Sequence, residues 1–176
     1  MRLARPLLLS RPASAMGLTL ALALALALGA TGAAHAGTVN VSYAPNTQFT
    51  DAGATPWDRD ANLHQLQAHL QALGQRYLPA DRTLSIEVLD VDLAGETRPG
   101  ARLRDVRVAR GGADWPRITL RYTLQANGQA LRSGEETVSD MNYLRHLSDN
   151  YTQGSLGPEK RMLDEWFKQR FVTSAD

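Results

Sequence analysis

Ile118, Leu120, Tyr122 and Leu124 alternate with Thr119, Arg121 and Thr123, and Asn127-Gly128 stands just beyond them. Successive side chains of a strand point to opposite faces, so this spacing predicts a strand over 117–125 with one apolar face. Asn-Gly favours a two-residue type I′ turn, whose twist matches that of the strands it joins. The chain therefore doubles back into an antiparallel return strand from Gln129 to about Val138. A strict two-residue loop sets Glu136 opposite Thr119, diagonal to Arg117 and Arg121. An antiparallel pair with one apolar face needs something to cover that face.

Two amphipathic helices are available as the cover. Thr55-Pro56-Trp57-Asp58 opens the first: Thr55 caps it, Pro56 suits the first helical position, and Asp58 completes an acidic version of the capping box. Leu63, Leu66, Leu70, Leu73 and Tyr77 follow at helical spacing, Pro79 ends the helix, and Gln65, Gln67, Gln71 and Gln75 mark a solvated face. Gly157-Pro158 starts the second, with Met162, Leu163, Trp166, Phe167 and Phe171 as its apolar face and Glu159 at its positive end. Elsewhere, Thr38–Tyr43 alternates as a strand, 96–102 reads as a polar loop around Pro99-Gly100, and Val106 and Val108 mark a short strand. Ser139–Leu147 is a short helix or turn. The expected fold is a single α+β domain: a mainly antiparallel four- or five-stranded sheet with two amphipathic helices packed on one face.

The stretch around which this order turns is 84–95. Leu84, Ile86 and Val88 alternate with Ser85 and Glu87, but past Val88 the apolar positions become Leu89, Val91 and Leu93. Asp90 and Asp92 then fall where the apolar residues had been. The strand therefore swaps its buried face near Leu89, as a twist, a bulge or an edge allows.

The amino terminus reads as a targeting signal. Arg2, Arg5 and Arg11 precede an apolar Leu/Ala run over 18–28, and Ala34-His35-Ala36 forms a cleavage site before Gly37. The run falls short of the ~20 residues a spanning helix needs. Removal of 1–36 leaves a single exported domain over 37–176, in the periplasm or secreted, with no membrane anchor. The signal carries three of the 19 cations and none of the 18 acids, so the domain's net charge becomes −2. That balance offers nucleic acid no electrostatic footing. The chain has no cysteine, which excludes a thiol nucleophile, a thiolate metal site and a lipid-modified cysteine anchor.

Four carboxylates form the candidate metal set: Asp90 and Asp92 on one face of a strand, with Glu136 and Asp140 as further acids. The competing expectation, and the favoured one, is that arginines such as Arg98, Arg102 and Arg104 and backbone N–H groups compensate the acidic pair. His64 and His69 lie five residues apart, about 140° around a helix, so they read as surface histidines and not as a ligand pair. Ser139, Asp140 and His146 hold the residue types of a hydrolase triad without a nucleophile elbow, and Gly111-Gly112 is a turn. Trp166-Phe167, with Trp57 and Trp115, makes either core or an aromatic patch, and core is favoured. No catalytic residue and no cofactor are assigned.

With these residues in view, the chain resembles the domain-of-unknown-function family numbered 3016, a family of exported proteobacterial proteins. The resemblance rests on Thr50-Asp51, Tyr77-Leu78-Pro79, Asp90-Val91-Asp92-Leu93-Ala94-Gly95 and Trp115-Pro116-Arg117-Ile118, with Gly134, Glu136, Asp140, Tyr143, Glu159 and Trp166-Phe167. It implies a single exported domain and brings no activity to carry over. The expected function is that of a non-enzymatic periplasmic binding or envelope-accessory protein, whose partner is another envelope protein or a small ligand. The alternatives are a metal-dependent enzyme or metal-binding module built on the four carboxylates, and a structural partner docking through a sheet edge or the terminal helix.

Overall fold

In the computed structural model the elements run β1 (Thr38–Tyr43), α1 (Pro56–Tyr77), β2 (Arg82–Asp92), β3 (Glu96–Pro99), β4 (Asp105–Val108), β5 (Arg117–Ala126), β6 (Gln129–Ser139), α2 (Tyr143–His146) and α3 (Gly157–Phe167). A π-helical turn, Lys168–Val172, extends α3. The structure describes residues 36–45, 48–99, 105–146 and 156–172, within one compact unit, His35–Asp176. The signal expected over 1–36 lies outside the described residues except for Ala36. Among the described residues no helix is long and apolar enough to cross a membrane.

The fold is the expected α+β arrangement. The main sheet has the order β1-β2-β5-β6. β2, β5 and β6 are antiparallel neighbours, while β1 pairs parallel to β2, an arrangement that needs a long crossover and uses α1 for it. Leu66, Leu70 and Leu73 of α1 and Met162, Leu163, Trp166 and Phe167 of α3 share one core with Leu84, Ile86, Val88 and Val91 of β2 and Ile118, Leu120 and Tyr122 of β5. The Thr55 hydroxyl accepts the Asp58 N–H at 3.1 Å, so the first helix starts at its expected cap.

The strand 84–95 does not swap faces. Val88 pairs with Leu120 and Asp90 with Thr119, which leaves Leu89 as an extra, bulged residue. The bulge absorbs the parity change, so Val91 joins Leu84, Ile86 and Val88 under the helices. Asp90 and Asp92 stay on the open face beside Thr119 and Arg117.

A second bulge corrects the hairpin register. The turn has the expected form, with φ 49° at Asn127 and 80° at Gly128. However, Gln125 pairs with Ala130 and Leu124 with Arg132, so Leu131 is unpaired and half exposed. Every later pair moves by one residue. Glu136 faces Leu120, not Thr119, and therefore lies on the helix-covered side; Glu135 takes the place opposite Arg121.

Two further expectations change. Glu96–Pro99, read as loop because of Pro99-Gly100, pairs with Asp105–Val108 as a two-stranded sheet; a proline is tolerated where a strand has an unpaired edge. His69 is not a surface histidine. α3 crosses α1 there: His69 Nε2 lies 2.9 Å from Asp164 Oδ1 and 3.1 Å from the Lys160 carbonyl, and Lys160 Nζ donates to Gln65 at 3.3 Å. His64 is exposed, as expected.

Candidate functional site

The structure does not bring the four predicted carboxylates together. Asp90 accepts the N–H and the hydroxyl of Thr50, both at 2.8 Å. Asp92 accepts the Arg117 guanidinium. These partners come from strand neighbours and from the segment 48–51, which rejoins the end of β2 through Asp51 N–H to Val91 and Leu93 N–H to Asp51. Of the arginines expected there, Arg98 pairs with Glu96 instead, and Arg102 and Arg104 lie outside the described residues. Glu136 is on the opposite face of the sheet from Asp90 and Asp92. Among the described residues no three His, Asp or Glu side chains gather as a metal ligand set.

Glu136 is the centre of a different arrangement. It accepts Tyr122 OH at 3.0 Å, Trp166 Nε1–H at 3.1 Å and Arg170 Nη2 at 2.8 Å, which ties β5, β6 and the α3 extension into one network. Gly134, the β6 partner of Tyr122, makes room for the ring: a Cβ there would stand 3.0 Å from the Tyr122 oxygen. Burial pushes the Glu136 carboxyl up, but the Trp166, Tyr122 and Arg170 donors outweigh it and hold it below the usual carboxylate range. Trp166 and Phe167 are thus core residues, whereas Trp57 is 83% exposed and Trp115 lies under the Arg117 guanidinium.

A second network surrounds the 93–95 turn. Arg107 donates to both Asp51 oxygens, at 2.9 and 2.8 Å, and to the carbonyls of Leu93, Ala94 and Gly95. Glu159, 2% exposed, accepts the Ala94 N–H at 2.7 Å, and burial pushes its carboxyl up. These bonds brace the 93–95 turn.

A groove of about 520 Å³ lies between the end of β6 and α3. Residues 136–140 of β6 and its end line one side, and Arg161, Met162, Glu165, Trp166 and Gln169 of α3 and its extension the other. Asp140 and Glu136, two of the predicted site residues, are therefore here. Asp140 Oδ1 accepts the Asn142 N–H at 3.0 Å. Arg161 is set apart from the other lining residues, since its Nε is buried without a hydrogen-bond partner.

The groove runs beside the outer edge of β6. β6 is the last strand of the sheet, and among the described residues none pairs with its outer side. The Asp140 N–H turns inward to the Pro116 carbonyl. By strand alternation the N–H and C=O groups of Val138, Glu136 and Gly134 also face β5, and those of Ser139, Thr137, Glu135 and Ser133 face outward. A row of outward donors and acceptors with which no described residue pairs is a template for one more strand. Local sequence pointed to this site only through Glu136 and Asp140. Arg161 carries no motif, and which β6 residues face α3 depends on the extra residue at Leu131.

The profile of the family described as "Protein of unknown function (DUF3016)" matches residues 37–169, and the chain belongs to that family. No curated protein matches the chain. Among solved structures, the crystal structure of a minor lipoprotein from Acinetobacter baumannii is similar at 13% identity, covering 77% of this chain and 88% of that one with a TM-score of 0.24. That likeness is too loose to bear on what this chain does.

Proposed function

We propose that this member of the family is an exported, non-enzymatic accessory protein of the bacterial envelope that docks an extended segment of another protein along the outer edge of β6. The observation that carries the reading is the outer edge of an eleven-residue strand, with which no described residue pairs, lying against a groove. Such an edge invites uncontrolled pairing, and proteins blunt it with charges and bulges. β6 has both in its first part, at Leu131, Arg132, Glu135 and Glu136, whereas Thr137–Ser139 is uncharged where the groove opens. Strand addition obtains affinity from backbone hydrogen bonds and specificity from pockets beside the edge.

Export is supported by the three-part signal, with cleavage between Ala36 and Gly37 leaving 37–176 as one domain. N-terminal sequencing of the exported protein should begin Gly37-Thr38-Val39; a product that keeps Met1 and sediments with membranes contradicts it. Docking is tested by a photo-crosslinking residue placed at Ser139 in living cells, with Gln75 on the exposed face of α1 as the control. A discrete adduct with a second envelope protein from position 139 and none from position 75 is expected. No adduct from 139, or the same adducts from both, contradicts the docking.

A further inference from the structure

We infer that the other end of the sheet, the outer edge of β1, pairs with β1 of a second copy of this chain. β1 is the first strand in the order β1-β2-β5-β6, and among the described residues none pairs with its outer side. The Ala44 N–H donates to the Val88 carbonyl at 3.0 Å. By alternation Asn40 and Ser42 also direct their backbone groups at β2, and Val39, Val41 and Tyr43 direct theirs outward. Strand edges that stay single are blunted by charge, proline or a bulge. β6 has a bulge at Leu131, with Arg132, Glu135 and Glu136 beside it. β1, Thr-Val-Asn-Val-Ser-Tyr, has no charge and no proline, and it pairs with β2 in unbroken register.

Charge argues for a second copy as the occupant. A two-fold axis sets each residue near its own equivalent, so a charge beside the axis meets its like. An edge without charge is compatible with itself. With the axis at Val41, antiparallel pairing joins Val41 to Val41 of the copy and Val39 to Tyr43 of the copy, and uses the outward N–H and C=O groups of all three residues. On the open face the exposed Asn40 then stands opposite the exposed Ser42 of the copy. On the covered face Val41, Tyr43, Phe49 and Leu63 are only partly buried by the chain's own core. Tyr43 gathers them, with its ring edge-on to Phe49 at 6.1 Å and its hydroxyl donating to the Leu63 carbonyl. The copy's strand adds cover there. The pairing is also closed. β1 on β6 of a copy would repeat head to tail without end, and the charges and bulge of β6 oppose it. The β1 pair leaves each β6 at an outer end of one continuous sheet, so the inference stands apart from docking on β6.

The test is sedimentation equilibrium of the exported protein across the micromolar range at low salt. Wild type should be a dimer. Asn40→Lys with Ser42→Lys sets lysine opposite lysine twice across the axis, and should raise the dimer dissociation constant about tenfold or more. Asn40→Lys with Ser42→Glu sets lysine opposite glutamate at the same places and should restore the dimer. Circular dichroism establishes that each variant is folded; if the double-lysine variant is not, Asn40→Lys alone is read in its place and should weaken the dimer in the same direction. A wild type that is monomeric over the whole range overturns the inference. A dimer that the lysines leave unchanged, or that the charge swap does not restore, places the interface elsewhere and overturns it too.

Discussion

Replacing Glu136 by alanine should strip two buried donors of their shared acceptor. The two donors it leaves behind, Tyr122 OH and Trp166 Nε1–H, belong to side chains only 3% and 7% exposed. A buried donor without an acceptor costs about 1–3 kcal/mol. The Arg170 pair adds little, since its side chains are 42% and 26% exposed and a solvated pair contributes roughly 1 kcal/mol or less. The loss for Glu136→Ala is then about 3 kcal/mol, and for Glu136→Gln, which keeps an acceptor and the volume, about 1 kcal/mol. The pH dependence follows from the lowered carboxyl. An acid whose folded pKa lies below its unfolded value, about 4.3, stabilises the fold above that value and stops doing so as pH falls through the folded pKa. The gap between wild type and Glu136→Ala should therefore be full at pH 7 and shrink below about pH 4. Urea denaturation followed by circular dichroism at both pH values measures it. A Glu136→Ala protein within about 0.5 kcal/mol of wild type at pH 7 would show that Glu136 does not hold the β6–α3 junction together.

The other expectations concern the acidic pair, the buried acid and the turn. Asp90→Asn with Asp92→Asn should destabilise by about 1–3 kcal/mol as the Thr50 and Arg117 bonds weaken, and wild type should show no calorimetric uptake of Ca²⁺ or Mn²⁺; stoichiometric uptake abolished in the double variant contradicts this. Glu159→Gln keeps an acceptor for the Ala94 N–H. Because burial raises the folded carboxyl above its unfolded value, wild type loses stability as pH rises through that window, so the variant should melt higher than wild type at pH 7.5 but not at pH 4. An unchanged difference at the two pH values refutes it. Gly128→Val forces an L-residue into φ near 80° and should lower stability by about 1–2 kcal/mol in the same denaturation assay, although open space surrounds the new side chain.

Much of the scaffold was legible because its signals are local. Asn127-Gly128, the Thr55 cap and the leucines of α1 act within a few residues of themselves, and each element formed where its pattern lay. The face of the sheet on which a residue ends is not local. A single extra residue at Leu89 turned an apparent change of face into a continuous buried side, and another at Leu131 carried Glu136 from beside Arg117 and Arg121 to beneath Trp166. Helix crossings are also invisible to periodicity: His69 reads as solvated until α3 brings Asp164 to it. The candidate site was legible only in part. Glu136 and Asp140 stood out as acids, but Arg161 gained its meaning from the groove, which no one segment encodes.

The outer edge of β6 is the feature on which the account depends, and amide hydrogen exchange of the free protein measures it residue by residue. The inward-facing amides of Gly134, Glu136 and Val138 should exchange slowly, and the outward-facing amides of Ser133, Glu135, Thr137 and Ser139 at rates near those of an unstructured chain. Alternating protection of this kind along 133–139 is the predicted result. Equal protection of Thr137 and Val138 would mean that the edge is already covered, and would contradict docking at that strand.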